Sequence, residues 1–135
     1  MVALVGRRKE KLDQVQAEIQ ALGGIATTHS CDIREEEQVR ATVAAILSAH
    51  GRIDYLVNNA GGQFSAPLEK ITAKGWDTVV RNNLTGGFLF ARECYTQWMS
   101  RHAGEPDRAI VNILGGMGPG AGQRRGARLD CLQRL

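Results

Sequence analysis

The chain of 135 residues is 43% hydrophobic and 23% charged, an ordinary soluble composition, and its length fits one domain or part of one. No apolar run reaches the roughly 18 residues that a membrane span needs, and the apolar start gives way to Arg7-Arg8-Lys9 too soon for a signal peptide, so we expect a cytoplasmic protein without a membrane partner. The net charge of +3 comes from the tail after residue 122, because residues 1–122 carry 13 basic and 13 acidic side chains, and this balance argues against nucleic acid as a partner.

Short apolar runs alternate with longer amphipathic stretches along the chain. The apolar runs predict β-strands at residues 2–5, 25–29, 55–57 and 109–113. Apolar residues at helical spacing predict a first helix through Leu12, Val15, Ile19 and Leu22, a second through Val39, Val43, Ile46 and Leu47, and a long helical region from Trp76 to Tyr95. Gly23-Gly24 and Gly51 are expected to end the first two helices.

This alternation predicts an α/β fold with a parallel, doubly wound, Rossmann-like sheet. Residues 1–122 form the predicted domain. Within it, residues 115–122 are a glycine-rich loop, which we interpret as part of an active site and not as a phosphate cradle. Residues 123–135 are a basic tail without helical or strand period.

The three cysteines, Cys31, Cys94 and Cys131, are widely spaced and include no Cys-x-x-Cys pair. An odd number at these spacings predicts neither a disulfide framework nor a zinc site. We expect reduced, mostly buried thiols and no metal.

The turn after the first strand reads Gly6-Arg7-Arg8 and contains no carboxylate. In a dinucleotide-binding sheet this position faces the adenosine ribose, where an acidic residue favours NAD and an arginine accommodates the 2′-phosphate of NADP. A guanidinium binds phosphate through two parallel, charge-assisted hydrogen bonds. Two arginines also suit a solvated helix face, but their place at the end of a strand favours NADP.

Asp32 and Ile33 directly follow the second strand and form the candidate adenine site. The Asp32 carboxylate can accept a hydrogen bond from an adenine amino group, or it can be the N-cap of the next helix with Glu35 completing a capping box. By sequence alone the N-cap is the favoured role. The two roles are compatible if the backbone does the capping.

The third strand ends in Asn58-Asn59-Ala60-Gly61-Gly62, which supports neither a helix nor a strand. Parallel sheets bind ligands just past the carboxyl ends of their strands. A small, flexible exit of this kind therefore indicates a ligand that approaches bare backbone.

Three segments, found in this order, resemble the short-chain dehydrogenase/reductase family: LVNNAG at residues 56–61, NLTG at 83–86 and IVNI at 110–113. The resemblance covers roughly residues 2–122. It implies that the ribose and nicotinamide side of the cofactor passes close to Asn59, Ala60 and Gly61. It also implies a catalytic role for Asn83 in ordering a water that relays protons, whereas the alternative for Asn83 is an amide that bonds the backbone at a helix kink.

Within that family, NAGGQFSAPL at residues 59–68 and the Gly75-Trp76 pair are most similar to the trans-2-enoyl-CoA reductase branch. Such enzymes transfer hydride from NADPH to the β-carbon of an unsaturated acyl thioester. The resemblance thus implies a small-molecule substrate, an acyl-CoA. The helical stretch from Gly86 to Met99 resembles the family's dimer-forming helix, which implies a homo-oligomer.

The sequence departs from the family pattern at both ends. The family's catalytic Ser and its Tyr-x-x-x-Lys follow the fourth strand, but residues 112–116 contain no hydroxyl, and Tyr95 and Lys74 are the last Tyr and Lys of the chain. The family's first strand and its glycine-rich pyrophosphate turn would precede Val2. The resemblance therefore implies an incomplete, inactive oxidoreductase with a split sheet; the alternative is a non-catalytic nucleotide-binding or subunit-pairing module of the same fold.

Overall fold

The computed structural model describes residues 1–62, 66–104 and 108–113, and the backbone of residues 132–134. The strands are β1 (Val2–Gly6), β2 (Ala26–Ser30), β3 (Tyr55–Asn58), β4 (Ala109–Ile113) and β5 (Leu132–Arg134). The α-helices are α1 (Lys9–Ala21), α2 (Glu36–His50), α3 (Ala73–Val80) and α4 (Gly86–Gln97). A π-helix, Arg81–Thr85, joins α3 to α4, and short 3-10 turns lie at Leu68–Lys70 and Met99–His102. All four predicted strands are present, and the predicted long helical region is α3 and α4 with the π-helix between them.

The strands form two separate sheets in the described part of the chain. β1 pairs with β2 in parallel, with Val2 opposite Ala26, and β3 pairs with β4 in parallel, with Tyr55 opposite Ala109. β1 and β3 do not pair with each other. The predicted split of the sheet is therefore present, and one edge of β1 and one of β3 have no ladder partner among the described strands.

β5 pairs with β4 in the antiparallel direction, with Leu132 opposite Ile113. The tail sequence did not predict this strand, because residues 132–134 have no alternation of apolar and polar side chains long enough to recognise. Pairing of this kind depends on backbone hydrogen bonds, which carry no sequence signal.

Helix α2 is amphipathic, and it buries a stripe of four side chains against the rest of the domain. The stripe consists of Val39, Thr42, Val43 and Ile46. Gly51 follows the helix with φ of 75° and donates its N–H to the Leu47 carbonyl, so it ends the helix as its glycine predicts. Val39 and Val43 pack with Leu89 and Phe90 of α4 in the main core cluster.

Cys31 and Cys94 are buried, free thiols in this core, as predicted. Burial raises the pKa of Cys94 to about 12, which keeps its thiol protonated and inert. Cys131 and the glycine-rich loop at 115–122 lie outside the described residues.

Among the residues that are described, no three His, Cys, Asp or Glu side chains are placed to hold a metal ion. In the same part of the chain, no helix has the length and apolar character that a membrane span requires.

Candidate nucleotide site at the carboxyl ends of the strands

An open cavity of about 560 Å³ follows β1 and lies against the start of α1. Its lining is Gly6, Arg7, Arg8, Lys11 and Leu12, so three of the five residues are cationic. Lys9 belongs to the same turn but does not line the cavity, and its Nζ lies 2.8 Å from Asp13 Oδ1. This cavity combines concavity with positive charge, the two properties that a phosphate site requires.

The Asp32 carboxylate, at the end of β2, is held by Arg34. Arg34 Nε donates to Oδ1 at 2.8 Å, Nη2 donates to Oδ2 at 2.5 Å, and the Arg34 backbone N–H donates to Oδ1 at 3.1 Å. Hydrogen bonds from the Arg34 side chain lower the pKa of Asp32 to about 2, and the charge of Arg7 contributes to the same shift. The carboxylate is therefore ionised and accepts hydrogen bonds at neutral pH.

The favoured N-cap role of Asp32 is wrong. Helix α2 begins at Glu36 with Glu35 as its N-cap residue, and Glu35 makes no side-chain capping bond. The Asp32 carboxylate accepts hydrogen bonds from Arg34 and does not cap the helix. In a capping box Glu35 would accept from the Asp32 N–H, but here the acceptor is Gln38 Oε1, at 2.8 Å. The alternative role of Asp32 as an adenine ligand stays a prediction.

Beyond β3, the Asn83 carboxamide bonds the backbone of the loop. Asn83 Oδ1 accepts from the Gly62 N–H at 3.0 Å, and Nδ2 donates to the carbonyls of Gly62 at 2.7 Å and Val79 at 2.9 Å. Asn83 lies in the π-helix, so its side chain has the geometry of an amide at a helix irregularity. Its role in a proton relay stays a prediction.

Gly61 leaves room for that carboxamide. A Cβ at position 61 would lie 2.6 Å from Asn83 Oδ1, whereas a Cβ at Gly62 would lie 3.4 Å from the nearest side-chain atom. Since the Asn83 carboxamide is fixed by three hydrogen bonds, one through Oδ1 and two through Nδ2, a side chain at 61 would displace it. The absence of a side chain at 61 thus serves the loop itself, in addition to the cofactor contact that the resemblance implies. Asn59, Ala60 and Gly61 are all exposed.

The π-helix connects the exits of β2 and β3. Arg81 Nη2 donates to the Arg34 carbonyl at 3.2 Å. The Ile33 side chain packs against Gly86 so closely that a Cβ added to Gly86 would lie 2.6 Å from two Ile33 carbons. The same π-helix carries Asn83. The candidate adenine residues and the loop after β3 are therefore both supported by residues 81–86, the π-helix and the first residue of α4.

A model of the short chain dehydrogenase family matches residues 1–124 of the chain. The chain belongs to the short-chain dehydrogenase family. The resemblance given by the three segments is thereby confirmed, and so is the Rossmann-like fold class, since solved structures of this family superpose on most of the chain.

Three similar proteins illustrate the range of the family. A protein from Bacillus subtilis (strain 168) named as a probable 2,4-dienoyl-CoA reductase is 31% identical over 121 residues, which are 90% of this chain and 46% of that protein. The structure of a citronellol catabolism dehydrogenase from Pseudomonas aeruginosa PAO1 is 50% identical with a TM-score of 0.77, covering 85% of this chain and 45% of the other. The structure of a metagenomic short-chain oxidoreductase in complex with NADP is 36% identical with a TM-score of 0.74, covering 84% of this chain and 50% of the other. The chain thus spans about half the length of the relatives it matches.

In this short-chain dehydrogenase chain, the three motif segments meet in space. Asn58 of the first segment donates from Nδ2 to Asn112 Oδ1 of the third at 2.9 Å and to the Gly87 carbonyl at 3.2 Å. Asn83 of the second segment bonds Gly62, next to the first. Segments recognised by their order in the sequence therefore form one hydrogen-bonded unit at the ends of β3 and β4.

Some residues of this candidate site were not singled out in the sequence. Lys11 follows Arg7 and Arg8 by four and three residues, so helical spacing could have placed all three on one face. Arg34 and Arg81 gave no signal, because arginines near a helix start are common on surfaces.

A second open cavity of about 420 Å³ adjoins the loop after β3 and is lined in part by Gly62, Lys74, Gly75 and Asn82. Residues 63–65 of the proposed enoyl-CoA signature lie outside the described part.

Proposed function

We propose that the chain is the NADP-binding portion of a short-chain oxidoreductase whose substrate is an enoyl-CoA thioester. The observation that carries the cofactor assignment is the cavity after β1, where Arg7, Arg8 and Lys11 contribute three cations and no carboxylate lines the walls. A 2′-phosphate distinguishes NADP from NAD, and it is the group that such a cavity suits. A related structure with NADP bound supports the same choice.

The remaining cofactor contacts follow from the order of the strand ends. We assign the adenine to Asp32 and Ile33, and the ribose and nicotinamide side to Asn59, Ala60 and Gly61. When bound, NADPH supplies the hydride. The chain's own residues bind and orient the cofactor, and Asn83 holds the loop against which the nicotinamide side would lie.

The enoyl-CoA assignment is supported by residues 59–68 and by the similarity to the Bacillus subtilis reductase. The 50% identity to the citronellol catabolism dehydrogenase favours a second candidate class of substrates, the compounds of citronellol catabolism. Both classes leave the cofactor assignment unchanged.

A second role is favoured by an exposed apolar stripe on the π-helix and α4. Leu84, Phe88 and Tyr95 lie on one helical face and are 68%, 57% and 55% exposed. Because exposed apolar side chains that share one helical face can mark a surface for another chain, we propose a second copy of this chain as the partner at this face. The alternative function is therefore that of a module that binds nucleotide and pairs subunits through this stripe without performing catalysis.

The cofactor assignment is tested by Arg7→Asp. The new carboxylate repels the 2′-phosphate of NADPH and can accept a hydrogen bond from the ribose 2′-hydroxyl of NADH. We therefore expect the dissociation constant of NADPH, divided by that of NADH, to rise by about tenfold or more. Isothermal titration of the two cofactors measures that ratio without any need for turnover. Lys9→Ala is the matched control, because Lys9 is a neighbouring cation that pairs with Asp13 outside the cavity. If Arg7→Asp changes this ratio no more than Lys9→Ala does, Arg7 belongs to a solvated helix face.

A further inference from the structure

Arg34 leaves the Asp32 carboxylate with few free acceptor positions. Oδ1 accepts two hydrogen bonds, from the Arg34 backbone N–H at 3.1 Å and from Nε at 2.8 Å, and Oδ2 accepts one from Nη2 at 2.5 Å. A carboxylate oxygen has two lone pairs. One lone pair of Oδ2 is therefore left, and its direction is fixed because the planar guanidinium holds both oxygens at once.

The backbone of this turn is held independently of the Arg34 guanidinium. The Glu35 N–H donates to the Asp32 carbonyl at 3.0 Å, and Gln38 Oε1 accepts from the Asp32 N–H at 2.8 Å. The Ile33 side chain packs against Gly86, and Arg81 Nη2 donates a hydrogen bond to the Arg34 carbonyl. Since these contacts already fix the main chain, the guanidinium acts mainly on the orientation of the Asp32 carboxylate.

We infer that Arg34 is a positioning residue for base recognition, which aims the one free acceptor of Asp32 at the exocyclic amino group of adenine and so selects adenine over a 6-oxopurine. The inference rests on the proposed nucleotide site. Adenine presents the N–H donor of its 6-amino group to the carboxylate. Hypoxanthine presents a carbonyl oxygen at that position, which the carboxylate repels, and it carries its own donor on the neighbouring N1, out of line with an acceptor whose direction is fixed. A site built to accept a hydrogen bond in one direction rejects a ligand that lacks the donor at the matching position.

The fixed direction is what makes the discrimination possible. A freely rotating carboxylate at the surface would exchange partners with water and lose little when the donor is absent. The Asp32 and Arg34 side chains are 19% and 29% exposed, so this pair is partly shielded from solvent. The low pKa of Asp32 keeps the acceptor ionised throughout the neutral range.

Adenosine 2′,5′-bisphosphate and inosine 2′,5′-bisphosphate provide the test, because they share the ribose and both phosphates and occupy only the adenosine half of the site. They differ in the amino or oxo group at purine position 6 and in the proton that the oxo form carries on N1. Titration calorimetry of the chain with both compounds should show an affinity for the adenosine compound about tenfold higher. In Arg34→Ala and in Arg34→Lys, which cannot form the planar fork, we expect this preference to fall to about twofold or less. Affinity for the inosine compound should change less, because its 6-oxo group does not use the Asp32 acceptor in either protein, and the phosphate contacts of both compounds remain.

Arg52→Ala is the matched control. Arg52 makes a similar forked pair with Asp54, two residues away, at 2.8 to 3.0 Å, and it lies outside the candidate site. This variant should keep the adenosine preference of the wild-type chain. Circular dichroism establishes the folded fraction of each variant, and if Arg34→Ala does not fold, Arg34→Lys decides.

Each outcome bears on one proposal or both. Retention of the preference in a folded Arg34 variant would overturn the inference, and so would an equal loss in Arg52→Ala. Equal binding of the two compounds by the wild-type chain would overturn the inference while leaving the phosphate site standing. Failure of the wild-type chain to bind either compound would overturn the nucleotide site and the inference with it.

Discussion

The 135-residue chain is expected to reduce no enoyl thioester at more than about 0.1 per second, a hundredfold below the roughly 10 per second typical of enzymes. Reduction of a carbon–carbon double bond needs a proton as well as a hydride, and general acid catalysis of that transfer contributes about 10² to 10⁴ in rate. The family pattern places this acid in a Tyr-x-x-x-Lys after β4. The last Tyr and Lys of the chain, Tyr95 and Lys74, both precede β4.

NADPH oxidation with crotonyl-CoA, followed at 340 nm, is the measurement. A reaction without protein gives the background. Turnover above the stated bound, proportional to the chain's concentration, would contradict this prediction and would show that a residue outside the family pattern delivers the proton.

Gly86→Ala should lower the free energy of unfolding by about 1 to 3 kcal/mol relative to Gly87→Ala. Gly86 is buried, and an added Cβ would lie 2.6 Å from two carbons of Ile33, which is packed against the core cluster. Helix propensity alone would favour alanine at either position by up to about 1 kcal/mol. Overpacking at Gly86 should exceed that gain.

Gly87→Ala is the matched control, because its Cβ would meet Asn58 at an ordinary contact distance of 3.6 Å. Urea unfolding of both variants gives the two free energies. Ile33 belongs to the candidate adenine site, so Gly86→Ala should also weaken adenosine 2′,5′-bisphosphate binding, in contrast to Gly87→Ala. Equal stability of the two variants would mean that Ile33 moves aside at no cost.

The elements of the fold were predictable where apolar residues repeat with a clear period. The runs at 2–5 and 109–113 read directly as strands, and Gly51 marks the end of α2 because a glycine after an apolar stripe adopts the left-handed conformation readily. The split of the sheet was also predictable, but only through the family resemblance, since periodicity cannot show whether β1 and β3 pair with each other.

The candidate site was predictable in its residue types and less so in its contacts. The polar exits at Arg7, Asp32 and Asn59 follow apolar runs and are visible in the sequence. The capping box failed because Arg34, two residues beyond Asp32, competes for the same carboxylate with a stronger, charge-assisted pair. The π-helix and the fit of Asn83 against Gly61 depend on tertiary contacts between distant segments, which no local pattern encodes.

Amide chemical-shift mapping with NADP⁺ tests most directly whether the strand exits form one nucleotide site. Because the 135 residues include no glycine-rich pyrophosphate turn of the family type, we expect a dissociation constant of about 1 mM. The largest shift changes should fall at residues 6–8, 32–33 and 59–61, with little change around Gly51 at the far end of α2. Changes confined to the cavity around Lys74, or no changes at 10 mM NADP⁺, a concentration about ten times that constant, would contradict the account.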